Sequence, residues 1–396
     1  MKNKNLKRYA FLVLLFWMAL YTYPPQLAVY SGKLGADPVL TGLILGSYGL
    51  SQMVLRVPLG IASDLLRRRK PFILLGCALI LISGLGLALS GTPGQLLFSR
   101  GIAGAAASAW VIFTVWFSES FDPAEAPRAM AQIMVYNQFG CLAGTLSGGL
   151  LSQWLGTRAS FWMSAALGAA AVLLAAGLPE GSIDENRKPV QLKDMVSLLK
   201  DPLLLSMSLA ALLIQVVQYG TTQGFTPKLG AQLGGSAALL GFLSSVAVMG
   251  SAASTTLNSR VTLKKFGAQK MILGGILWYS AATILLPMVS KNIPTLLAMQ
   301  FLAGVGNGFC YPLLMGLAIR DTAPEQRGAA MGIYQSVYAC GMFLGPAVTG
   351  FFQTRASLEH SISLIGCTGL AAFAVCLAQF ARMKKQEKTP AGQYRK

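Results

Sequence analysis

The chain has 396 residues, of which 54% are hydrophobic and only 12% are charged, and its formal net charge at pH 7 is +18. A soluble domain needs a larger charged exterior, so this composition excludes an ordinary water-soluble fold and indicates a chain embedded in a lipid bilayer. The positive charge does not indicate nucleic-acid binding, because Lys and Arg concentrate in alternate connections between apolar segments, as membrane orientation requires.

The six cysteines and the single histidine show no spacing typical of a disulfide framework or a metal site, and we expect no cofactor. The sequence also shows no phosphate-binding loop and no set of nucleophile, acid and base, so an enzyme is not expected. These observations leave binding and transport as the classes of function to consider.

Twelve apolar segments are each long enough to cross roughly 30 Å of hydrocarbon as a helix, which takes about 20 residues. We place them at residues 9–30, 39–63, 71–91, 95–118, 129–155, 159–178, 203–227, 236–257, 269–290, 293–318, 328–353 and 361–381. The first segment lacks a small-residue cleavage site, so we expect it to remain in the membrane. The sequence thus predicts an all-α membrane protein with twelve transmembrane helices.

One long polar segment separates the sixth span from the seventh. We therefore predict an N-terminal six-helix bundle over residues 1–178, a cytoplasmic linker over 179–202, a C-terminal six-helix bundle over 203–385 and a cytoplasmic tail over 386–396. We expect the protein to lie in the cell membrane, and the distribution of Lys and Arg predicts that both termini are in the cytoplasm. Because one chain contains a complete pathway, we expect a monomer.

The first span is interrupted by Pro24 and Pro25. Such a break frees backbone carbonyls, which is tolerated in a membrane only beside protein or a wet cavity. We therefore expect Tyr23 and Gln26 to line a substrate cavity.

Arg56 lies within the second span, about two helical turns before Asp64 and thus roughly 12 Å from the inner boundary. An arginine at this depth costs at least a few kcal/mol unless it faces a partner or water. Since no Asp or Glu lies near the middle of any span, we expect a cavity of positive potential. Our hypothesis is that Arg56 helps to bind an anionic or zwitterionic solute; the alternative is a structural arginine that carbonyls or water satisfy.

The loop after the second span contains four consecutive cations, residues 67–70. They cannot enter hydrocarbon, so the loop lies in water, and the positive-inside rule assigns that water to the cytoplasm. Asp64 is close enough in sequence to Arg68 and Arg69 to bond with them. We interpret Gly60, Asp64, Arg68 and Arg69 as a charged latch that gates the bundle.

Amide and phenol side chains recur along one face of the seventh span, and others occur in the fifth, tenth and eleventh. Lipid would penalise these side chains, so they face inwards, either to join helices or to line the cavity. The candidates for the cavity are Asn137, Gln215, Gln218, Tyr219, Gln223, Asn307, Tyr311 and Tyr338.

The two halves of the chain repeat one another. Residues 33–42 align with residues 232–241 at an offset of 199, and residues 100–104 align with residues 300–304 at nearly the same offset. A duplicated six-helix unit places a cavity between the halves near the middle of the membrane, reached from alternate sides by rocking.

The duplication and the loop after the second span resemble the major facilitator superfamily over essentially the whole chain. The pattern of that family is Gly-x-x-x-Asp-Arg-x-Gly-Arg-Arg, and the four latch residues match it, whereas Leu65 and Arg67 stand where the family has Arg and Gly. The resemblance implies two pseudo-symmetric six-helix bundles, a small organic substrate and transport by alternating access.

Two further motifs resemble patterns of that family. Gly140 and Gly144 resemble the glycine pattern in the fifth helix of family antiporters, with Thr145 in place of a proline; ordinary close packing is the alternative. Arg100 and Gly104 resemble a fourth-helix Arg-x-x-x-Gly pattern that the family associates with proton coupling. The alternative for Arg100 is a hydrogen bond to the first helix, where Gln26 lies at similar depth.

The resulting prediction is a secondary transporter of the cell membrane that exports a small organic solute, with a proton gradient as its source of energy. The proton would bind Asp64 or Glu119, or travel with the substrate. One alternative is an importer or facilitator of an organic anion. A different class of alternative is a non-transporting receptor or lipid-handling protein on the same scaffold.

Overall fold

The structure is a computed structural model, and it describes residues 3–118, 120–121, 126–180, 197–323 and 326–388. Twelve long helical stretches follow one another through these ranges. Their bounds are Asn3–Tyr21 with Pro24–Lys33 (α1), Pro38–Leu65 (α2), Lys70–Leu89 (α3), Pro93–Ser108 with Trp110–Ser118 (α4), Ala126–Leu155 (α5), Thr157–Ala176 (α6), Pro202–Gln232 (α7), Ala237–Leu257 with Asn258–Thr262 and Leu263–Phe266 (α8), Ala268–Val289 (α9), Ile293–Ala318 (α10), Arg327–Gln353 (α11) and Leu358–Lys388 (α12). The predicted all-α fold of twelve spans is confirmed.

Among the described residues, ten of the twelve helices are both long and apolar enough to cross a membrane. The other two, α5 and α11, have 30 and 27 residues, so their length suffices, but both are rich in glycine and polar residues. Each packs against two helices at the centre of the molecule, α5 against α1 and α8, and α11 against α2 and α7. Their glycines and polar residues can lie on the faces that pack against these helices, where an apolar surface is not required.

The repeated segments that connect α1 to α2 and α7 to α8 build the same turn. Gly35 and Gly234 have φ values of 88° and 84°, in the left-handed region that glycine adopts without a clash of Cβ. The following helix is then capped by a side chain, Asp37 accepting from Leu40 N at 2.7 Å in the first half and Ser236 in the second. The sequence repeat therefore corresponds to a structural repeat.

The two ends of the molecule differ in how the bundles meet. We call the end where α2 meets α3, with Arg67 and Arg68, the basic end, and the end where α1 meets α2 the opposite end. Towards the basic end, each bundle has a buried cluster composed mainly of its own residues. Members are Tyr9, Phe113 and Phe117 in the first bundle and Leu204, Ile272 and Leu314 in the second.

At the opposite end, one buried cluster contains residues of both bundles. It combines Leu27 and Leu45 of the first bundle with Phe225, Leu229 and Leu243 of the second. Burial of apolar area against the partner bundle holds this end together. The molecule is therefore joined at the opposite end and divided into two cores towards the basic end.

The predicted linker and tail lie largely outside the described residues, which leave out 181–196 and 389–396. The predicted boundaries of the two bundles thus stay predictions.

Candidate substrate site

One face of α2 carries Tyr48, Gln52 and Arg56 at four-residue spacing. Arg56 is only 2% exposed; its Nη1 donates to the hydroxyl of Tyr338 at 2.8 Å, and its Nη2 donates to Gln52 Oε1. Tyr338 belongs to α11, so this arginine connects the two bundles. Tyr48 and Gln52 were not among the predicted site residues, although their spacing from Arg56 is a signal that could have identified them.

Arg100, on α4, is 5% exposed and is held by two tyrosines. Its Nη1 donates to the hydroxyl of Tyr23 at 2.8 Å, and its Cζ lies 4.2 Å from the ring centroid of Tyr48. A guanidinium over an aromatic face is attracted by the electron density of the ring. Arg100 therefore donates a hydrogen bond to the first helix, as the alternative to proton coupling expected. The acceptor is Tyr23 and not Gln26.

Gln26 bonds the other bundle. Its Nε2 donates to the backbone carbonyl of Ala237, at the start of α8, at 3.1 Å. The residue lies one turn beyond Tyr23, towards the opposite end, where the bundles share a core. Gln26 thus contributes to closure at that end.

In the ranges that the structure describes, neither Arg56 nor Arg100 forms an ion pair with a carboxylate. Each guanidinium also has a buried Nε without a hydrogen-bond partner among the described residues. Burying a charge without an opposite charge is costly, and phenol and amide oxygens compensate only part of the lost hydration. The centre of the molecule therefore carries uncompensated positive charge.

A small cavity lies where α1, α2, α4, α7 and α11 meet, and we call it the central cavity. Its lining includes Tyr21, Tyr48, Arg100, Tyr219 and Gln223. The rings of Tyr48 and Tyr219 come from different bundles and stack with their centroids 6.3 Å apart and their planes 19° from parallel. The cavity volume is about 20 Å³, room for about one water molecule, so a larger solute requires the bundles to separate here.

The middle of α7, Gln218–Phe225, is π-helical. Backbone hydrogen bonds of the i→i+5 type widen the helix, and such segments are frequent at functional sites. The widened segment directs Tyr219 and Gln223 to the central cavity, while Gln218 accepts a hydrogen bond from Asn307 Nδ2 at 3.1 Å. The sequence indicated the polar face of this helix, but it gave no sign of the π-helical geometry.

Most of the remaining predicted polar residues form one network of hydrogen bonds and ring contacts, and Asn137 lies outside it. Gln215 Nε2 donates to the hydroxyl of Tyr311 at 3.2 Å, and the rings of Tyr311 and Tyr338 lie 6.2 Å apart. Since Tyr338 also bonds Arg56, this network reaches the arginine from the second bundle. Asn137, on α5, is half-buried and belongs neither to the network nor to the lining of the central cavity.

At the basic end, Arg69 Nη1 lies 2.5 Å from Asp64 Oδ1 and donates to Ser63 Oγ at 2.9 Å. This ion pair is contained in the first bundle, and Arg68 beside it is exposed. Arg67 has a φ of 49°, the left-handed conformation, at the position where the family pattern has glycine. The loop geometry explains that preference, because a side chain strains this conformation.

The same loop is fastened to the end of the first bundle. Glu180 Oε1 accepts from the backbone N–H groups of Arg69 at 3.0 Å and Lys70 at 3.2 Å, at the start of α3, where a helix does not supply acceptors of its own. In return, Lys70 Nζ donates to the carbonyl of Ala176, at the end of α6, at 2.8 Å. These bonds hold the start of α3 and the end of α6 together.

A second cavity, which we call the basic-end cavity, lies between α2, α4 and α11. Its volume is about 50 Å³, and its lining includes Arg56, Gly60, Asp64, Arg69 and Gly332. A Cβ added at Gly60 would meet only Val111, at 3.8 Å, so this glycine leaves open space instead of a close helix contact. Arg56 lines the basic-end cavity about two helical turns from Tyr48, which lines the central cavity.

Gly140 and Gly144 pack within the first bundle. A Cβ at these positions would lie 2.6 Å from the carbonyl oxygen of Leu14 and 2.5 Å from that of Met18, both on α1. The glycine face thus lets α5 approach the backbone of α1 closely. The predicted gating role of these glycines stays a prediction.

The bundles meet along two equivalent seams, α2 with α11 and α5 with α8. In the first seam, a Cβ at Gly46 would lie 2.7 Å from the carbonyl oxygen of Phe343. In the second, the hydroxyl oxygens of Thr145 and Ser245 are 2.7 Å apart. Close backbone approach and short polar side chains thus join the halves.

Comparison with known sequences gives relatives of similar length. An uncharacterized MFS-type transporter, MJ1560 of Methanocaldococcus jannaschii, is 24% identical over 360 residues, 86% of this chain and 90% of the relative. The inner membrane transport protein YajR of Escherichia coli K12 is 25% identical over 343 residues, 85% and 74% of the two chains. The class C tetracycline resistance protein of Escherichia coli is 24% identical over 350 residues, 86% of each.

Solved structures share the fold. A bacterial homolog of the human lysosomal transporter Spinster, in an inward-facing and unoccupied conformation, superposes with a TM-score of 0.79 at 16% identity, covering 99% of this chain and 100% of that one. The human organic anion transporter MFSD10 gives a TM-score of 0.70 at 19% identity, covering 95% and 100%.

The family model described as Major Facilitator Superfamily matches residues 9–229 and 209–395, which together span all twelve helices. The chain therefore belongs to the Major Facilitator Superfamily, whose members are membrane transporters rather than enzymes.

Proposed function

We propose that this chain is a secondary transporter that moves a small organic anion across the cell membrane by alternating access. The observation that carries the proposal is the pair of buried arginines, Arg56 and Arg100, that have no carboxylate partner in the described spans. An anion entering between the bundles supplies the missing charge, and hydrogen bonds to charged groups are worth about 1.5–3 kcal/mol each. The buried free Nε of each guanidinium is a donor that such an anion can use.

The two cavities suggest the order in which an anion meets the arginines. A solute that enters the basic-end cavity reaches Arg56 first, where the bond to Tyr338 closes the way to the central cavity. An anion that accepts from Arg56 competes with the tyrosine for this donor and weakens a contact between the bundles. It then lies near Arg100, which lines the central cavity.

The positive-inside rule assigns the basic end, and both termini, to the cytoplasm. In that orientation the shared core at the opposite end closes the molecule to the outside, and the site is reached from within. Asp64 and Arg69, with Gly60 and exposed Arg68 beside them, are the proposed latch of the basic end.

Export is the direction we propose, since a tetracycline resistance protein is among the relatives and the faces of Gly140 and Gly144 resemble those of family antiporters. A proton gradient is the proposed source of energy. Antiport requires a group on the protein that carries the proton back. Of the candidates, Asp64 is bonded to Arg69, and Glu119 lies outside the described residues.

A second candidate function is uptake or facilitated movement of the same organic anion. It is favoured by the lack of a carboxylate at the centre of the described spans, since the carboxyl group of the substrate can carry the proton without a group on the protein. In this case the substrate and the proton travel in the same direction.

Flux of a labelled organic carboxylate into and out of vesicles that contain the purified chain tests the proposal. We expect flux of the carboxylate through the unaltered chain. Arg56→Gln should reduce this flux at least tenfold, because one charged hydrogen bond is lost. With an inward proton gradient imposed, expulsion indicates antiport and accumulation indicates symport. Flux of neutral solutes without any flux of anions would contradict the anion site, and lipid-dependent binding without any flux would indicate a non-transporting protein.

A further inference from the structure

We infer that the anion taken by this site is planar and aromatic, an inference that rests on the proposed function. The evidence is the ring pair of Tyr48 and Tyr219, which lie 19° from parallel with centroids 6.3 Å apart. Tyr48 belongs to α2 and Tyr219 to α7, so each bundle contributes one wall. Both rings line the central cavity.

The two rings can become the walls of a stacking slot. A flat ring held between two others needs about 7 Å between the outer rings, since carbon atoms in contact are about 3.5 Å apart. The 6.3 Å between the centroids combines the spacing of the ring planes with their sideways offset, so the rings have to separate before a flat ring enters between them. Because the rings belong to different bundles, a separation of the bundles opens the slot.

A saturated ring fits this slot less well than a flat ring of the same size. Its hydrogens project from both faces, so it holds the tyrosines farther apart and loses the contact of ring face with ring face. Stacked or edge-to-face aromatic pairs contribute about 0.5–1.5 kcal/mol beyond the burial of area. A flat substrate gains this contribution on both of its faces.

A charged group lies over a face of the Tyr48 ring. The Cζ of Arg100 lies 4.2 Å from the centroid of the Tyr48 ring, and its buried Nε has no partner among the described residues. A carboxylate that extends past the edge of the Tyr48 ring can accept from this guanidinium, whereas a cation would be repelled.

The rest of the central cavity is largely apolar. Leu20, Pro24, Leu45 and Pro346 contribute hydrocarbon surface, and Gln223 contributes an amide. A solute with many hydroxyl groups would lose hydration here without gaining partners. The lining therefore matches one anionic group on a flat hydrocarbon body.

The test compares two carboxylates, 2-naphthoate and trans-decahydro-2-naphthoate, which share their charge and number of carbons and differ in flatness. Binding of each to the purified full-length chain is measured by calorimetry. We expect naphthoate to bind at least about fivefold more tightly. Tyr219→Leu should lower the ratio of the two dissociation constants at least about twofold, because one of the two aromatic walls is lost, whereas Tyr219→Phe, which keeps the ring, should leave the ratio unchanged.

Equal affinities in the unaltered chain would overturn the inference, and so would a ratio that neither Tyr219→Leu nor Tyr48→Leu changes. Should Tyr219→Leu fail to fold, the unaltered chain and Tyr48→Leu decide. Transport of another organic anion by a chain that binds neither naphthoate would reject the aromatic class and leave the proposed function standing. Absence of flux for every anion would reject the proposed function itself.

Discussion

Each bundle contains an equivalent close contact between helix backbones, but the two bundles differ in the charge of their buried side chains. Gly104 of α4 lies against the carbonyl oxygen of Tyr48 on α2, and Gly304 of α10 lies against that of Ala247 on α8. The paired positions are separated by 200 and 199 residues, the offset of the sequence repeat. The same close approach of two helices therefore occurs in both halves.

The side chains at these equivalent positions have diverged. Arg100 corresponds to Gln300, whose Nε2 donates to the carbonyl of Thr222 on α7 at 3.3 Å. Both residues thus join the fourth helix of a bundle to the first, one with a charge and the other without. Arg56 corresponds to Thr255, whose hydroxyl donates to the carbonyl of Gly308.

This difference shows which parts of a duplicated fold can change. A contact of backbone with backbone leaves no room for a side chain, so glycine is needed wherever the helices cross in this way. Polar side chains between the bundles are not restricted by the backbone in the same way. The first bundle has become the cationic side of the site, and the second contributes phenols and amides.

The largest effect should come from joining the two bundles covalently. The hydroxyl oxygens of Thr145 and Ser245 are 2.7 Å apart across the α5–α8 seam, so Thr145→Cys with Ser245→Cys brings two thiols within reach of a disulfide. If the bundles move as two bodies, oxidation should abolish transport in vesicles and reduction should restore it. Each single variant under the same oxidant is the control for the native cysteines, and undiminished transport by the oxidised double variant would refute the rocking of the bundles.

Arg100→Gln places in the first bundle the glutamine that the second bundle has at the equivalent position, Gln300. Loss of a charged donor should weaken binding of an organic anion by about 10- to 150-fold, since such a hydrogen bond contributes about 1.5–3 kcal/mol. Calorimetry of the purified variant measures this change. Gln300→Leu, at the equivalent position of the other bundle, is the matched control and should change anion affinity less than about threefold. A similar loss in both variants would show that the two halves do not differ in charge recognition.

Gly104→Ala and Gly304→Ala test the contact that the bundles share. The added methyl group in each case meets a backbone carbonyl oxygen that cannot move aside, so each should lower the free energy of unfolding by about 1–3 kcal/mol. Unfolding of the purified variants in detergent measures the effect. Gly94→Ala and Gly274→Ala, at helical positions with no atom within 4 Å of the new methyl group, are the controls and should not destabilise. If only one of Gly104→Ala and Gly304→Ala were destabilising, the two helix contacts would not be equivalent.

The smallest effect is expected in the loops at the basic end. Arg67 and Gly267 both adopt a left-handed backbone, with φ values of 49° and 77°. Arg67→Gly should stabilise by up to about 1 kcal/mol, because relief of the strain exceeds the entropy that glycine adds to the unfolded chain. Gly267→Ala should destabilise by a similar amount. The two unfolding midpoints should therefore shift in opposite directions, and shifts of the same sign would contradict the role of backbone strain.

Much of the fold could be predicted from the sequence. The second and ninth spans, expected at 39–63 and 269–290, correspond to Pro38–Leu65 and Ala268–Val289. Hydropathy determines such spans because a helix in lipid must be apolar over the full thickness of the hydrocarbon. Proline and capping residues then define where the helices begin.

The candidate site could be predicted only in part. The polar face of α7 indicated Tyr219 and Gln223, which line the central cavity. Two facts were not predicted: that Tyr48 stacks on Tyr219 and that Tyr338 bonds Arg56. Both contacts join different bundles, and periodicity within one helix does not reveal which residue of another bundle it faces.

The buried arginines also predict that transport depends on the membrane potential. A membrane potential of 100 mV does about 2.3 kcal/mol of work on one elementary charge that crosses the whole field. Arg56 and Arg100 have no carboxylate beside them in the described spans, so the free energy of any shift of their guanidinium groups along the membrane normal depends on the potential. The proposed anion would remove part of that charge when bound, and we therefore expect the potential to bias the empty carrier more strongly than the loaded one.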